Sequence, residues 1–253
     1  RLGDILGRVC YFLWSGARSI FWEPATLSLS QRLVRDAQTA LVAGSHIGYM
    51  ALEIRRAMPE DGVLYTFEPI PHVYDISYKN VSMNKSIGAV VLDSRALSGI
   101  NGTARMRDDD IRSKVDASGD REVETVTVDS FTKERGIAGF DFVLLDVEGH
   151  ELTVLRGAQR LLGSKGAPKH IIFEVINSNA ALWDQLKDLL EKHGYSLFVI
   201  DDDYELTLSK KYQAEPKLYP AAHMTTLDHK YVNILATRHT LEAVSSLGVY
   251  PIS

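Results

Sequence analysis

The segment Phe140-Asp-Phe-Val-Leu-Leu-Asp-Val-Glu-Gly-His-Glu-Leu-Thr-Val-Leu-Arg-Gly-Ala158 constrains the fold more than any other stretch of the chain. Phe142 to Leu145 is an apolar run too short for a helix and bounded by charge, the pattern of a strand buried on both faces. Gly149 lets the backbone turn, and from Glu151 onward Leu152, Leu155 and Leu162 recur at helical spacing. A strand running into a helix thus places Asp146, Glu148, His150 and Glu151 near the carboxyl end of a parallel strand, where open α/β sheets keep their ligands. Glu148 and Glu151 also have a plainer reading, as acids that complement the helix dipole at its first turn. The plainer reading of His150 is a helix-start residue capping its own turn.

Upstream, the same alternation recurs. Thr39–Ala43 reads as a first strand, followed at once by Gly44-Ser-His-Ile-Gly48 and a helical pattern through Met58. Val63–Phe67 is a second strand ending on Glu68-Pro69; a helix over about 71–84 and a third strand, Ala89–Leu92, follow. This βαβαβ order is half of a doubly wound sheet with right-handed crossovers. Residues 98–121 are the least regular part, with Thr103–Arg107 and Glu122–Val128 able to pair as edge strands around a flexible, acid-rich excursion. After a short helix and the central strand and helix come a fifth strand, His170–Ile176, and a helix from Ala180 to His193 closed by Gly194. Tyr195–Ile200, Glu205–Leu208 and Tyr231–Ala236 complete the sheet, and their short connections require at least one antiparallel strand. Residues 209–230 read as a loop long enough to be a lid or an interface.

No repeat or linker divides the 253 residues, which suits a single α/β domain. Residues 1–36 form a helical extension interrupted by Pro24, and 38–238 form the core. The run from Val9 to Trp22, broken by Gly16 and Arg18, is too short to span a membrane. It reads as an amphipathic helix packed on the domain or facing a second subunit, so a homo-oligomer is one expectation; membrane-surface contact is the alternative. The chain begins with Arg1, which a trimmed start would explain. A net charge of −5 without a basic block argues against nucleic acid as a partner. The single Cys10 excludes an internal disulfide framework and fits a cytoplasmic setting.

A glycine-rich turn after strand one and an acid at the tip of strand two are two halves of a nucleoside site. Gly44 and Gly48 permit close backbone approach, and Glu68, 20 residues past Gly48, can accept both hydroxyls of a ribose. The plainer reading of Glu68 is a solvated strand end. The turn is Gly-x-x-x-Gly rather than Gly-x-Gly-x-x-Gly, so a pyrophosphate cradle is poorly supported. S-adenosylmethionine carries no phosphate and needs only a shallow turn, an acid for its ribose and another for its ammonium.

The ordered set Leu-Val-Ala-Gly-Ser-His-Ile-Gly-Tyr-Met, Leu-Tyr-Thr-Phe-Glu-Pro-Ile-Pro with Asn80 and Asn84 behind it, Val-Glu-Thr-Val-Thr-Val-Asp-Ser-Phe, Leu-Leu-Asp-Val-Glu-Gly-His-Glu and Ile-Ile-Phe-Glu-Val resembles the FkbM-type methyltransferases over about residues 38–238. The resemblance implies a class I, Rossmann-like methyltransferase fold with a mostly parallel seven-stranded sheet, helices on both faces, and S-adenosylmethionine as cofactor. It further implies methyl transfer to a hydroxyl of a small-molecule or glycan acceptor. Cofactor contacts carry over to Ala43, Gly44, Ser45, His46 and Gly48 in the first loop, to Glu68 and Pro69, and to Asp146. The family usually reads Asp-x-Gly-x-Asn-x-Gly in that loop, and Val42 and His46 stand at its acid and its Asn.

Methyl donation by a sulfonium is an in-line displacement, so the protein must orient the acceptor, and a base helps when the nucleophile is a hydroxyl. His150, Glu148 and Glu174 are the candidate catalytic residues. Asp146, Glu148 and His150 are also competent metal ligands, but side chains alternating through a strand-to-helix turn seldom converge on one point, and no metal is expected. The rival readings are a nicotinamide-dependent oxidoreductase, which the missing third glycine disfavours, and a non-catalytic interaction protein on the same scaffold, which Val42 favours.

Overall fold

The protein is described by a computed structural model covering residues 23–107, 114–115, 118–176, 179–202, 216–221, 231–240, 242–243 and 250–251. In chain order the elements are α1 (Pro24–Leu33), β1 (Thr39–Ala43), α2 (Tyr49–Ala57), β2 (Val63–Phe67), α3 (Pro71–Met83), β3 (Ala89–Asp93), β4 (Ala96–Leu97), β5 (Gly102–Arg107), β6 (Lys114–Val115) and β7 (Arg121–Val126). There follow α4 (Val128–Arg135), β8 (Phe142–Leu145), α5 (Glu151–Arg156), α6 (Gln159–Leu162), β9 (His170–Ile176), α7 (Ala180–Lys192), β10 (Ser196–Asp201), β11 (Lys217–Pro220), β12 (Tyr231–Thr237) and β13 (Tyr250–Pro251).

The main sheet has the order β13-β11-β10-β12-β9-β8-β1-β2-β3. From β3 to β9 every pairing is parallel, and β12 runs antiparallel between β9 and β10. The seven-stranded expectation therefore needs correction to nine among the described residues, because β11 and β13 continue the sheet beyond β10. Part of the stretch expected to be a loop, 217–220, is that β11 strand. The expected strand Glu205–Leu208 and the apolar run 9–22 lie outside the described residues.

The central strands are buried on both faces because helices cover both. Alternate residues Val42, Leu144 and Ile172 pack with Leu29, Leu33 and Ile54 of α1 and α2. Their neighbours Ala43, Leu145 and Phe173 pack with Phe131, Leu155 and Leu186 of α4, α5 and α7. Pro24 opens α1 at a position where the missing N–H costs nothing. The single helix expected from Glu151 to Leu162 is two, separated at Gly157, where a Cβ would stand 2.2 Å from the Ser98 carbonyl oxygen.

Thr103–Arg107 and Glu122–Val126 do pair, but in a second sheet of order β4-β7-β5-β6 rather than at an edge of the first. That small sheet packs Ala96, Met106 and Val123 against Ile70 and Val73 at the start of α3. After β1 the chain builds outward through β2 and β3, then returns to place β8 on the other side of β1. This reversal between β1 and β8 is the switch point that opens a crevice at the strand ends.

Candidate functional site

A hollow lies over that switch point. Its floor is formed by Ala43 and Gly44 after β1 and by Asp146, Val147 and Glu148 after β8. It is further lined by Phe67 at the end of β2 with Glu68 and Pro69 after it, by His150, and by the apolar side chains of Ile70, Val73, Leu97 and Met106.

The first loop is shaped by left-handed backbone at alternate positions: φ is 79° at Gly44, 48° at His46 and 87° at Gly48. Asn, Asp and His tolerate that region better than other side chains, which accounts physically for His46 standing where the family has Asn. Gly44 is obligatory for a second reason: a Cβ there would lie 1.7 Å from the Asp146 carbonyl oxygen. The loop is braced from behind, because Asn80 Nδ2 donates to the Ile47 carbonyl at 2.8 Å and the hydroxyls of Ser45 and Ser77 lie 3.2 Å apart. Ser45 and Gly48 thus serve the loop from beneath and do not face the hollow.

Glu68 is buried, its backbone N–H bonded to the Asp93 carbonyl and its Oε1 accepting from the Ile70 N–H at 2.9 Å. The solvated strand-end reading of Glu68 is therefore set aside. Glu68 and Asp146 both border the same hollow.

Asp146 continues β8, with its N–H donating to the Ala43 carbonyl at 3.1 Å. Burial, then repulsion from Glu148 and Glu151, pushes its carboxyl up to about 7. The turn that follows has φ of 53° at Glu148 and 91° at Gly149. Glu151, only 1% exposed, holds this turn: its Oε1 accepts from the Val147 N–H at 3.2 Å and the Gly149 N–H at 3.1 Å. Burial raises its carboxyl to about 7 against the lowering effect of those bonds. His150 precedes α5 without capping it; its Nε2 instead lies 3.2 Å from Ser98 Oγ, and burial lowers its pKa, keeping the ring neutral.

Of the expected site residues, Ala43, Gly44, His46, Glu68, Pro69, Asp146, Glu148 and His150 border the hollow, whereas Ser45, Gly48 and Glu174 do not. Glu174 sits on the next strand, level with Asp146 and opposite Asn233 of β12. Among the described residues no three His, Cys, Asp or Glu side chains are grouped to hold a metal ion. No described helix is long and apolar enough to cross a membrane. Sequence reasoning missed Ser98 and the apolar cover. Ile70 is the variable position of the Glu-Pro-x-Pro motif and Val73 follows it, so both could have been found from it, while Met106 and Leu97 come from the small sheet and carry no local signal.

A family model described as the methyltransferase FkbM domain matches residues 43–197. No curated protein matches the chain. Among solved structures, an O-methyltransferase from Bacillus cereus in complex with SAH is 11% identical, covers 91% of this chain and 88% of its own, and has a TM-score of 0.52. The precorrin-6y C5,15-methyltransferase from Geobacter metallireducens is 15% identical, with 85% and 87% covered and a TM-score of 0.50. A SAM-dependent O-methyltransferase from Thermotoga maritima is 14% identical, with 88% and 67% covered and a TM-score of 0.50. At these identities the three establish the likeness of fold.

Proposed function

The chain belongs to the FkbM methyltransferase family and uses S-adenosylmethionine, and from that premise we propose that it methylates a hydroxyl of a small molecule or sugar. We assign this activity to a single domain whose core is 38–238. The observation that carries the reading is the pairing of Glu68 and Asp146 across one hollow with the tight Gly44 turn between them.

The residues fit the cofactor's chemistry. Glu68, with one oxygen fixed by the Ile70 N–H, is oriented to accept from a ribose diol. Ile70, Val73, Leu97 and Met106 offer an apolar wall suited to the flat face of a base. Gly44 lets an amino-acid tail approach the backbone, and Asp146 offers it negative charge. When bound, the cofactor supplies an electrophilic methyl on a sulfonium.

His150 is the preferred base: a neutral imidazole can accept the hydroxyl proton as the acceptor oxygen takes the methyl, and Ser98 holds the ring. Glu148 is the second candidate on the same rim. Glu174, away from the hollow, is not retained as a base. The family match leaves the nicotinamide reading without support.

Calorimetric titration with S-adenosylmethionine tests the cofactor site: Glu68→Ala should abolish binding, whereas His150→Ala should bind as wild type. A panel of hydroxyl-bearing small molecules and sugars, followed by release of the demethylated cofactor, tests the acceptor class. Normal turnover by His150→Ala would remove it as the base. A wild-type chain giving no heat at millimolar cofactor would favour the non-catalytic reading instead.

A further inference from the structure

A second, open cavity of about 520 Å³ lies away from the hollow. It is lined by Thr39 at the start of β1, by the loop 136–141 that leads from α4 into β8, and by the loop 165–169 that leads into β9. These three strands run parallel, so their first residues gather at the sheet edge opposite the hollow. The two loops are locked together. Phe140 N–H donates to the Gly166 carbonyl at 3.2 Å, and a Cβ at Gly139 or at Gly166 would stand 2.1 Å from a carbonyl oxygen of the other loop. Tyr65 of β2 also lines the cavity, its ring set edge-on to Phe131 at 5.6 Å and to Phe140 at 5.9 Å.

The lining is rich in donors and poor in acceptors. Arg135, Lys165 and Lys169 bring three cations, and Asp141 is the one acid. Asp141 is already committed: its Oδ2 accepts from the N–H groups of Gln38 at 2.9 Å and Thr39 at 3.1 Å, and its Oδ1 meets Lys169 Nζ at 3.0 Å. Arg135 reaches Asp93 only at 3.6 Å, and Asp93 is held more closely by Arg95, at 3.0 and 2.9 Å. Lys165 has no acid partner among the described residues. The N–H groups of Ala138 and Gly139 and the Tyr65 hydroxyl likewise donate to no described residue. Cations and backbone donors around one concavity recognise an anion with several acceptor oxygens. A carboxylate offers a single charge, whereas a phosphoryl group brings about two charges and three acceptor oxygens, the better match to this donor set. Half-buried Tyr65 and Ile137 add apolar surface beside it. The chain as a whole carries a net charge of −5, so attraction of an anion here comes from this local excess.

We propose that this cavity is a second ligand site that takes a small phosphorylated molecule: Arg135, Lys165 and Lys169 hold the phosphoryl group, and Tyr65 and Ile137 pack against its carbon body. The site stands independently of the cofactor reading, since no residue lining it also lines the hollow.

The test is calorimetric titration of the full chain, without cofactor and in a phosphate-free buffer of fixed ionic strength, with phenyl phosphate and with inorganic phosphate. Phenyl phosphate should bind saturably, one per chain, and about three- to tenfold more tightly than inorganic phosphate, because its ring adds apolar contact. Lys165→Gln should weaken phenyl phosphate binding about three- to tenfold, and Arg135→Gln combined with it should weaken binding by more than about tenfold. Lys165 is exposed and makes no ion pair with a described acid, so Lys165→Gln should melt as wild type and decides the matter even if the double variant fails to fold. Lys192→Gln, which removes an exposed lysine at the end of α7 that does not line the cavity, should change nothing. Absence of saturable binding, wild-type affinity in Lys165→Gln, or an equal loss in Lys192→Gln would overturn the assignment. Phenyl phosphate binding no tighter than inorganic phosphate would overturn the packing on Tyr65 and Ile137.

Discussion

Gly44→Ala is the most direct test of how β1 and β8 make the site. A methyl group at this position would lie 1.7 Å from the Asp146 carbonyl oxygen and 2.8 Å from its carbon, so a backbone rather than a flexible side chain must yield. The left-handed φ of 79° alone costs an alanine about 1–2 kcal/mol. Moving the Asp146 backbone away stretches its 3.1 Å bond to Ala43 and leaves buried groups unsatisfied, adding about 1–3 kcal/mol. The total of roughly 2–5 kcal/mol corresponds to a fall in melting temperature of roughly 4–20 °C for a chain of this size. Gly136→Ala is the control: its φ is 65°, but a Cβ there meets nothing within 4 Å, so it carries the backbone term without the collision. Thermal melts of both variants, each followed by cofactor titration, separate the two costs. If Gly44→Ala melted no lower than Gly136→Ala and bound cofactor normally, the close contact between the first loop and Asp146 would not be what shapes the hollow.

Two further outcomes follow from the acids and from His150. Asp146 and Glu151 are held up to about 7 in the fold, so the native state binds more protons than the unfolded chain between the ordinary carboxylate range and that value. The stability these two groups contribute is present on the acid side and is lost as pH rises towards about 7, partly offset up to the ordinary histidine range by His170, which burial holds down to about 3; with two carboxyls against one imidazole, melting temperature should fall from pH 5 to pH 8. Glu151→Gln keeps an acceptor for the Val147 and Gly149 N–H groups and should flatten the profile, and an unchanged profile would show that Glu151 is not among the groups responsible. Ser98→Ala removes the bond to His150, worth about 0.5–1.5 kcal/mol; it should cut methyl transfer roughly 3- to 10-fold at unchanged cofactor affinity. A changed affinity with normal turnover would make Ser98 a wall residue instead.

The main strands were readable because each apolar run reports burial on two faces. Phe142–Leu145 is buried throughout, and Thr39–Ala43 and Val63–Phe67 appear with the bounds their sequence suggested. β11 was not readable, since Lys-Leu-Tyr-Pro becomes a strand by pairing with the backbone of β10 rather than through its own alternation. The break at Gly157 was hidden for a similar reason. Leu152, Leu155 and Leu162 keep helical spacing across it, and what Gly157 meets there is the carbonyl of Ser98, a residue that follows β4 of the small sheet.

The same division runs through the site. Gly44, Glu68 and Asp146 follow directly on β1, β2 and β8, so parallel register alone brings them to one edge, and a strand prediction carries them with it. The loss of alternation after Asp146 explains why Asp146, Glu148 and His150 are not grouped on one point. Asp146 continues the pleat, but Glu148 and Gly149 then turn through left-handed conformations, and His150 is drawn towards Ser98 of the small sheet. Glu151, equally acidic in sequence, is turned inward to hold that turn's N–H groups. The start of α1 lies at the other extreme. Nothing in Glu-Pro-Ala-Thr announces how it is held: the first turn of α1 is fixed by Asp202 and Asn233, 176 and 207 residues from Thr26 along the chain. A helix start fixed by distant side chains leaves no local pattern, whereas a carboxylate at the tip of a buried parallel strand does.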